Sequence, residues 1–230
     1  PNLSAHQAAA RESHFSHTLD WALRSVLLVG VPAAVALVVL AKPILVTLFQ
    51  YRALTPADVD MAALSLQAYS LGLVAFMLVK VLAPGFYARK DTATPVKIGI
   101  IAMFANMVMN LLFVLPLMYY LNIGHVGLAL ATSLAAYLNA GLLLRGLLRE
   151  RVYALRPGWG RFGQRLLLST LSMALVVWWV APDVEVWLAW QWSRRVLEIG
   201  LVCSLGLAAY VLAHLLCGTR LRHLRAPASS

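Results

Sequence analysis

The chain has 230 residues, 61% of them hydrophobic and 12% charged, with a net charge of +10 and a mean hydropathy of +0.78. Soluble domains carry about 25% charged residues, so this composition excludes an ordinary water-soluble fold. The positive surplus would raise nucleic acid as a partner for a soluble protein; here the basic residues occupy short connections between apolar runs, a pattern that argues against nucleic acid and for a bilayer.

Pro1 in first place predicts a fragment or a processed product, and no signal peptide is visible. Residues 1–23 set His6, Arg11, Glu12, His14, His17 and Asp20 beside Phe15, Leu19 and Trp21, which predicts an amphipathic helix on the inner membrane surface. Crossing the hydrocarbon takes about 20 apolar residues as helix. Residues 24–147 supply four such runs: Ser25–Gln50, interrupted by Lys42 and Pro43, then Met61–Val79, Ile98–Met118 and Val126–Leu144. The last two come from a stretch without Asp, Glu, Lys or Arg, divided at a turn-like Tyr119–His125. A basic linker follows at 148–165, then a terminal helix pair at 166–217 with runs Leu166–Ala181 and Val196–Leu216, and a basic tail at 218–230. Six successive apolar runs predict an all-α integral membrane protein; a β-barrel would alternate instead. Cys203 and Cys217 share one run at a separation no disulfide within a straight helix spans.

Lysine and arginine set the orientation. One set of connections holds Arg11, Arg89, Lys90, Lys97, Arg145, Arg149, Arg151, Arg156, Arg161, Arg165, Arg220, Arg222 and Arg225, whereas the opposite set holds only Arg52, Arg194 and Arg195. The positive-inside rule places the first set, and both ends of the chain, in the cytoplasm. Asp58, Asp60, Asp183 and Glu185 fall outside, as does the tryptophan belt WLAWQWSRR, Trp187–Arg195. The polar stretch Val79–Ile100 then becomes a cytoplasmic turn. Pro84 and Gly85 are expected to end one helix, Thr94 and Pro95 to be N-cap and N1 of the next, and Asp91 to favour its positive end.

Several side chains have two readings. Lys80 and Arg24, at span ends, either snorkel to headgroups or line an inward-facing cavity for an anionic substrate. Lys42 beside Pro43 either snorkels or marks a kinked, water-lined site. Asn106 and Asn110 share a face of the third span and Asn139 lies in the fourth, fitting interhelical hydrogen bonds or substrate contact. Glu198 is spaced to pair with Arg194 or Arg195. His14, His17 and Asp20 share a face, but three exposed ligands make a poor metal site. No phosphate-binding loop, dinucleotide fingerprint or hydrolase motif occurs, so neither cofactor nor catalysis is expected.

The run VKVLAPGFYARKDTATPVKI, Val79–Ile98, with LFQYRALT and LQAYSLGL before it and NMVMNLLFVLPL after it, resembles the MurJ (MviN) family of bacterial lipid II flippases. The opening PNLS is similar to the end of the family's eighth helix. The resemblance implies a fourteen-helix, two-lobe transporter of the MOP superfamily, with this chain as helices nine to fourteen in the inner membrane. It implies alternating access about a cationic cavity for the diphosphate headgroup of lipid II, and a groove for the undecaprenyl tail shaped by the terminal pair. Arg24, Lys80, Asn106, Asn110 and Asn139 become candidates for the cavity or a lobe contact. Pro84, Tyr87, Arg89, Lys90, Asp91, Thr94 and Pro95 become a candidate cytoplasmic gate whose charges exchange partners. The implied partners are lipid II, membrane lipids and the amino-terminal helices of the same protein, without which this segment is expected to be inactive. The alternatives are a related exporter of drugs or other lipid-linked oligosaccharides, a membrane scaffold, or an enzyme acting on polyprenyl phosphates.

Overall fold

The computed structural model describes residues 2–49 and 55–218, with side chains from His14 onward apart from Pro56. The side chain of Arg11, the stretch 50–54 with Arg52, and the tail arginines from Arg220 on lie outside that description. The described residues form eight helices: α1 (Asn2–Val39), α2 (Ala41–Phe49), α3 (Pro56–Tyr87), α4 (Ala93–Leu121), α5 (Gly124–Arg149), α6 (Trp159–Val180), α7 (Val184–Ala189) and α8 (Trp192–Leu216). Six of them, all but α2 and α7, are long and apolar enough to cross a membrane.

Prolines and caps explain where the helices stop. The first apolar run breaks at Leu40, just before the expected Lys42–Pro43. Pro43 falls in the first turn of α2, where its missing N–H is no loss. Gln67 of α3 donates to the Val38 carbonyl at this broken end, at 3.0 Å. Helix α3 begins earlier than its apolar run, because Thr55 and Asp58 form a reciprocal capping box with Pro56 at the first position. At the far end of α4, Asn122 takes up the left-handed conformation at φ 56°, so the charge-free stretch turns inside the expected Tyr119–His125.

The α3 boundary corrects an expectation. Pro84 and Gly85 do not end the helix, which runs on to Tyr87. Proline deletes only the bond to the Lys80 carbonyl, and the helix has only one turn left. The stop is set by Lys90 in the left-handed region at φ 61°. The Asp91 N–H returns to the Phe86 carbonyl at 3.1 Å, closing a Schellman-type terminus.

Helix α5 is the spine. It packs against α3 on one side and α4 on the other, while α3 and α4 touch only weakly. Small residues permit this closeness. Gly72 of α3 lies against Ser133, Gly127 of α5 against the backbone of Phe113 and Val114, and Gly146 against Phe86. Ser133 Oγ donates to the Ala68 carbonyl at 2.7 Å and the Tyr137 hydroxyl to the Leu71 carbonyl at 2.8 Å. Helix α1 leans on α3, and the α6–α8 pair leans on α1. Leu19, Leu23, Leu82, Phe86, Leu143, Leu147 and Tyr153 form one core cluster; Leu40, Met173, Val177 and Val202 form a second between α1 and the pair. Large apolar side chains on α4, α6 and α8, such as Phe104, Leu111, Leu175 and Leu212, point outward. Paired backbone within helices and an apolar exterior are what a lipid solvent demands.

Candidate functional site

Because α3 and α4 both hold to α5 but hardly to each other, a wedge opens between them. It is a groove of about 500 Å3, with Phe76, Val79 and Lys80 from α3, Met103, Asn106 and Met107 from α4, and Thr132, Ala135 and Asn139 from α5. Three of the five residues expected in a cavity, Lys80, Asn106 and Asn139, therefore meet on three helices. Among the described residues no carboxylate lies within ion-pairing distance of Lys80. Asn110 stands beside the groove: its Nδ2 donates to Asn106 Oδ1 at 2.7 Å, and Thr132 Oγ1 donates to the Leu128 carbonyl at 2.9 Å. The result is an ammonium over a braced amide floor with apolar walls, which suits an anionic group carried on an apolar body.

Arg24, the fifth expected cavity residue, is held elsewhere. Its Nε lies 2.8 Å from Asp20 Oδ2, its Nη2 donates to the Pro157 carbonyl at 3.4 Å, and its guanidinium sits over the Trp159 and Phe162 rings. Asp20 is only 4% exposed. Its Oδ1 accepts from the Tyr153 hydroxyl at 2.7 Å and from Trp159 Nε1 at 2.8 Å. Burial, and then the bond to Asp20, push the Tyr153 hydroxyl well above its ordinary range, so it stays a donor at any physiological pH. Asp20 thus holds the linker.

The expected gate residues lie at the α3–α4 turn. Pro84, Tyr87, Arg89 and Lys90 are exposed, and Pro95 is buried. Arg89 forms an ion pair with Glu150 at the end of α5, tying the turn to the spine. Helix α4 starts at Ala93, so Thr94 and Pro95 are not N-cap and N1 but lie within the first turn. Asp91 does the capping: its Oδ1 accepts from the Thr94 N–H at 3.0 Å. The side chain and backbone of Thr94 hold the Asp91 carboxyl below its ordinary value. A depressed carboxylate adds stability above its unfolded pKa and loses it as pH falls through the folded one. Acidification through and below the usual carboxylate range is therefore expected to loosen this turn. Asp91→Asn removes that part of the acid sensitivity, read as a flatter low-pH limb in hydrogen exchange of the α4 amino-terminal amides.

Glu198 pairs with Arg194 as its spacing allows, but the partners of Lys42 and Arg195 were not legible in the residue pattern. Lys42 pairs with Asp60 at 2.8 Å, so it neither snorkels alone nor opens a site. Arg194 reaches Glu198 at 4.0 Å, whereas Arg195 donates to the carbonyls of Trp187, Val46 and Leu188. Neither carbonyl acceptors nor partners distant in sequence leave a mark in spacing.

A family model described as lipid II flippase MurJ matches residues 1–194. The chain belongs to the MurJ family. The probable lipid II flippase MurJ of Vibrio cholerae is 45% identical over 226 residues, covering 98% of this chain and 42% of that protein. The corresponding MurJ of Haemophilus influenzae is 42% identical over 210 residues, covering 91% and 40%. The lipid II flippase MurJ of Burkholderia cenocepacia is 41% identical over 185 residues. The chain thus spans about two fifths of the length of these MurJ relatives. Its fold is shared by a solved structure, the lipid II flippase MurJ in an inward closed conformation. The TM-score is 0.69 at 23% identity, over 88% of this chain and 39% of the other. An all-helical, multi-pass membrane segment of a MurJ protein accounts for the architecture.

Proposed function

We propose that this chain is the carboxy-terminal part of a lipid II flippase of the bacterial inner membrane, and that the groove between α3, α4 and α5 lines its substrate path. The carrying observation is that Lys80, with no carboxylate in ion-pairing distance among the described residues, lines one groove with Asn106 and Asn139 in a MurJ-family bundle. A diphosphate is the part of lipid II that an ammonium with amide neighbours would hold, and the methionine-lined walls suit the start of its apolar chain. Positive residues gather at the α3–α4 turn, the end of α5 and the linker, while Asp58, Asp60, Asp183 and Glu185 lie at the other end, which favours a cytoplasmic basic end. In this frame the Arg89–Glu150 pair is a contact that an opening inner gate would break. The activity belongs to the full-length protein, whose other helices complete the cavity.

The test is complementation in cells depleted of their own lipid II flippase. The parent full-length gene is expected to restore growth. Lys80→Ala combined with Asn139→Ala is expected to lower export of lipid II at least about tenfold, the effect of losing one charge-assisted contact, with Lys80→Arg retaining most of it. Full export by the double variant at normal membrane levels removes the groove from the path. Failure of the parent gene to support growth removes the flippase reading itself.

A further inference from the structure

Helices α6 and α8 pack as a pair, and the pair meets the rest of the bundle along α1 and α2. Polar bonds cross that seam at three heights. At the basic end, Asp20 of α1 accepts from Tyr153 in the linker and from Trp159 at the start of α6. Further along α1, the Tyr210 hydroxyl of α8 donates to the Leu28 carbonyl at 2.8 Å. At the opposite end, Arg195 of α8 donates to the Val46 carbonyl of α2 at 3.1 Å while also holding the Trp187 and Leu188 carbonyls.

The middle bond shows how such a tether is built. An α-helical carbonyl bonds the N–H four residues on. For Leu28 that residue is Pro32, inside α1, which has no N–H. The proline frees an acceptor deep in an apolar seam, and Tyr210 fills it. Between the bonds, Val31, Val35 and Leu40 pack against Met173, Val177 and Val202. In lipid, apolar packing alone barely prefers one neighbouring helix to another, so interhelical polar bonds and close fit decide what stays together.

We propose that the α6–α8 pair is a fixed part of the same body as α1–α5, pinned by Asp20, Tyr210 and Arg195, and does not swing separately during transport. The existence of a transport movement rests on the flippase reading; the pinning does not. The consequence is that any surface formed between the pair and α1 is carried along with the bundle and keeps its shape.

Spin-label distances in the full-length protein, reconstituted in nanodiscs with its native cysteines (Cys203 and Cys217 among them) replaced by serine, test this. Labels at Gly141 on α5 and Leu212 on α8, both exposed, are expected to give one narrow distance that lipid II leaves unchanged. A shift or a second population on adding lipid II overturns the proposal. The combined variant Tyr153→Phe, Tyr210→Phe and Arg195→Gln is expected to broaden that distance; an unchanged distribution also overturns it. Should the combined variant fail to fold, Tyr210→Phe alone gives the same readout. A control pair from Gly141 to a helix outside this chain is expected to move with lipid II. Its failure to move counts against the flippase reading, and the tether variants still decide the pinning.

Discussion

Replacing Asp20 with alanine is expected to lower the stability of the full-length protein by about 3 to 5 kcal/mol, the range for removing one partner of a buried ionic cluster. The carboxylate is almost wholly enclosed. Its loss strands the Tyr153 hydroxyl, the Trp159 indole N–H and one side of the Arg24 guanidinium at once. Each unpartnered buried donor carries a desolvation penalty of about 1 to 3 kcal/mol; Arg24 adds less because it is partly exposed. Asp20→Asn is expected to be milder, since its carbonyl oxygen still accepts from Tyr153 and Trp159 while its amide faces Arg24. The measurement is thermal unfolding in detergent, with a fall of about 3 to 5 °C for the alanine variant in a protein of full MurJ length. Tryptic cleavage after Arg151 in the linker is expected to quicken in the same order. A melting temperature and a cleavage rate equal to the parent's would mean that the carboxylate does not hold the linker.

How much of this was readable in the residues differs between fold and site. The spans were legible because bilayer thickness imposes a minimum apolar length, and the turn at Asn122 was legible because nothing else in Ile98–Leu144 interrupts that length. Helix ends were less so. Proline at position 84 reads as a stop, yet one turn from a terminus it removes a single bond, and the stop itself came from a lysine in a left-handed conformation. Thr94 reads as a cap, but the helix starts one residue earlier and the Thr94 N–H is itself capped by Asp91. Lys80, Asn106 and Asn139 stood out as polar residues in apolar runs, and the resemblance through Val79–Ile98 gave them a context. That they meet in one groove depends on α3 and α4 both choosing α5 as neighbour. The Asp20 cluster was not legible: Asp20 and Trp159 are 139 residues apart, and helical periodicity reports a residue's own face, never the partner opposite it. Arg24 was assigned to the cavity for the same reason.

Among backbone positions the largest effect is expected at Gly72. A Cβ built there falls 2.6 Å from Ser133 Oγ and 2.8 Å from both Ser133 Cα and Cβ. The last two contacts cannot be relieved by a rotamer change, so α3 and α5 must separate. Overpacking of this kind costs about 1 to 3 kcal/mol. Separation also lengthens the Ser133–Ala68 and Tyr137–Leu71 bonds, each an interhelical bond worth about 0.6 to 2 kcal/mol. Alanine's better helix propensity returns at most about 1 kcal/mol, so Gly72→Ala is expected to destabilise the protein and Gly72→Val more so. The groove shares α3 and α5 as walls, so export is expected to fall alongside stability. Second-site changes separate this account from a general intolerance of α3. Ser133→Gly, which removes the Cβ but keeps the Cα, is expected to restore part of the lost melting temperature in the Gly72→Ala protein. Ser133→Ala is not, since its Cβ stays in place. Equal rescue by both, or no loss from Gly72→Val, would show that the helices are not in contact at this height.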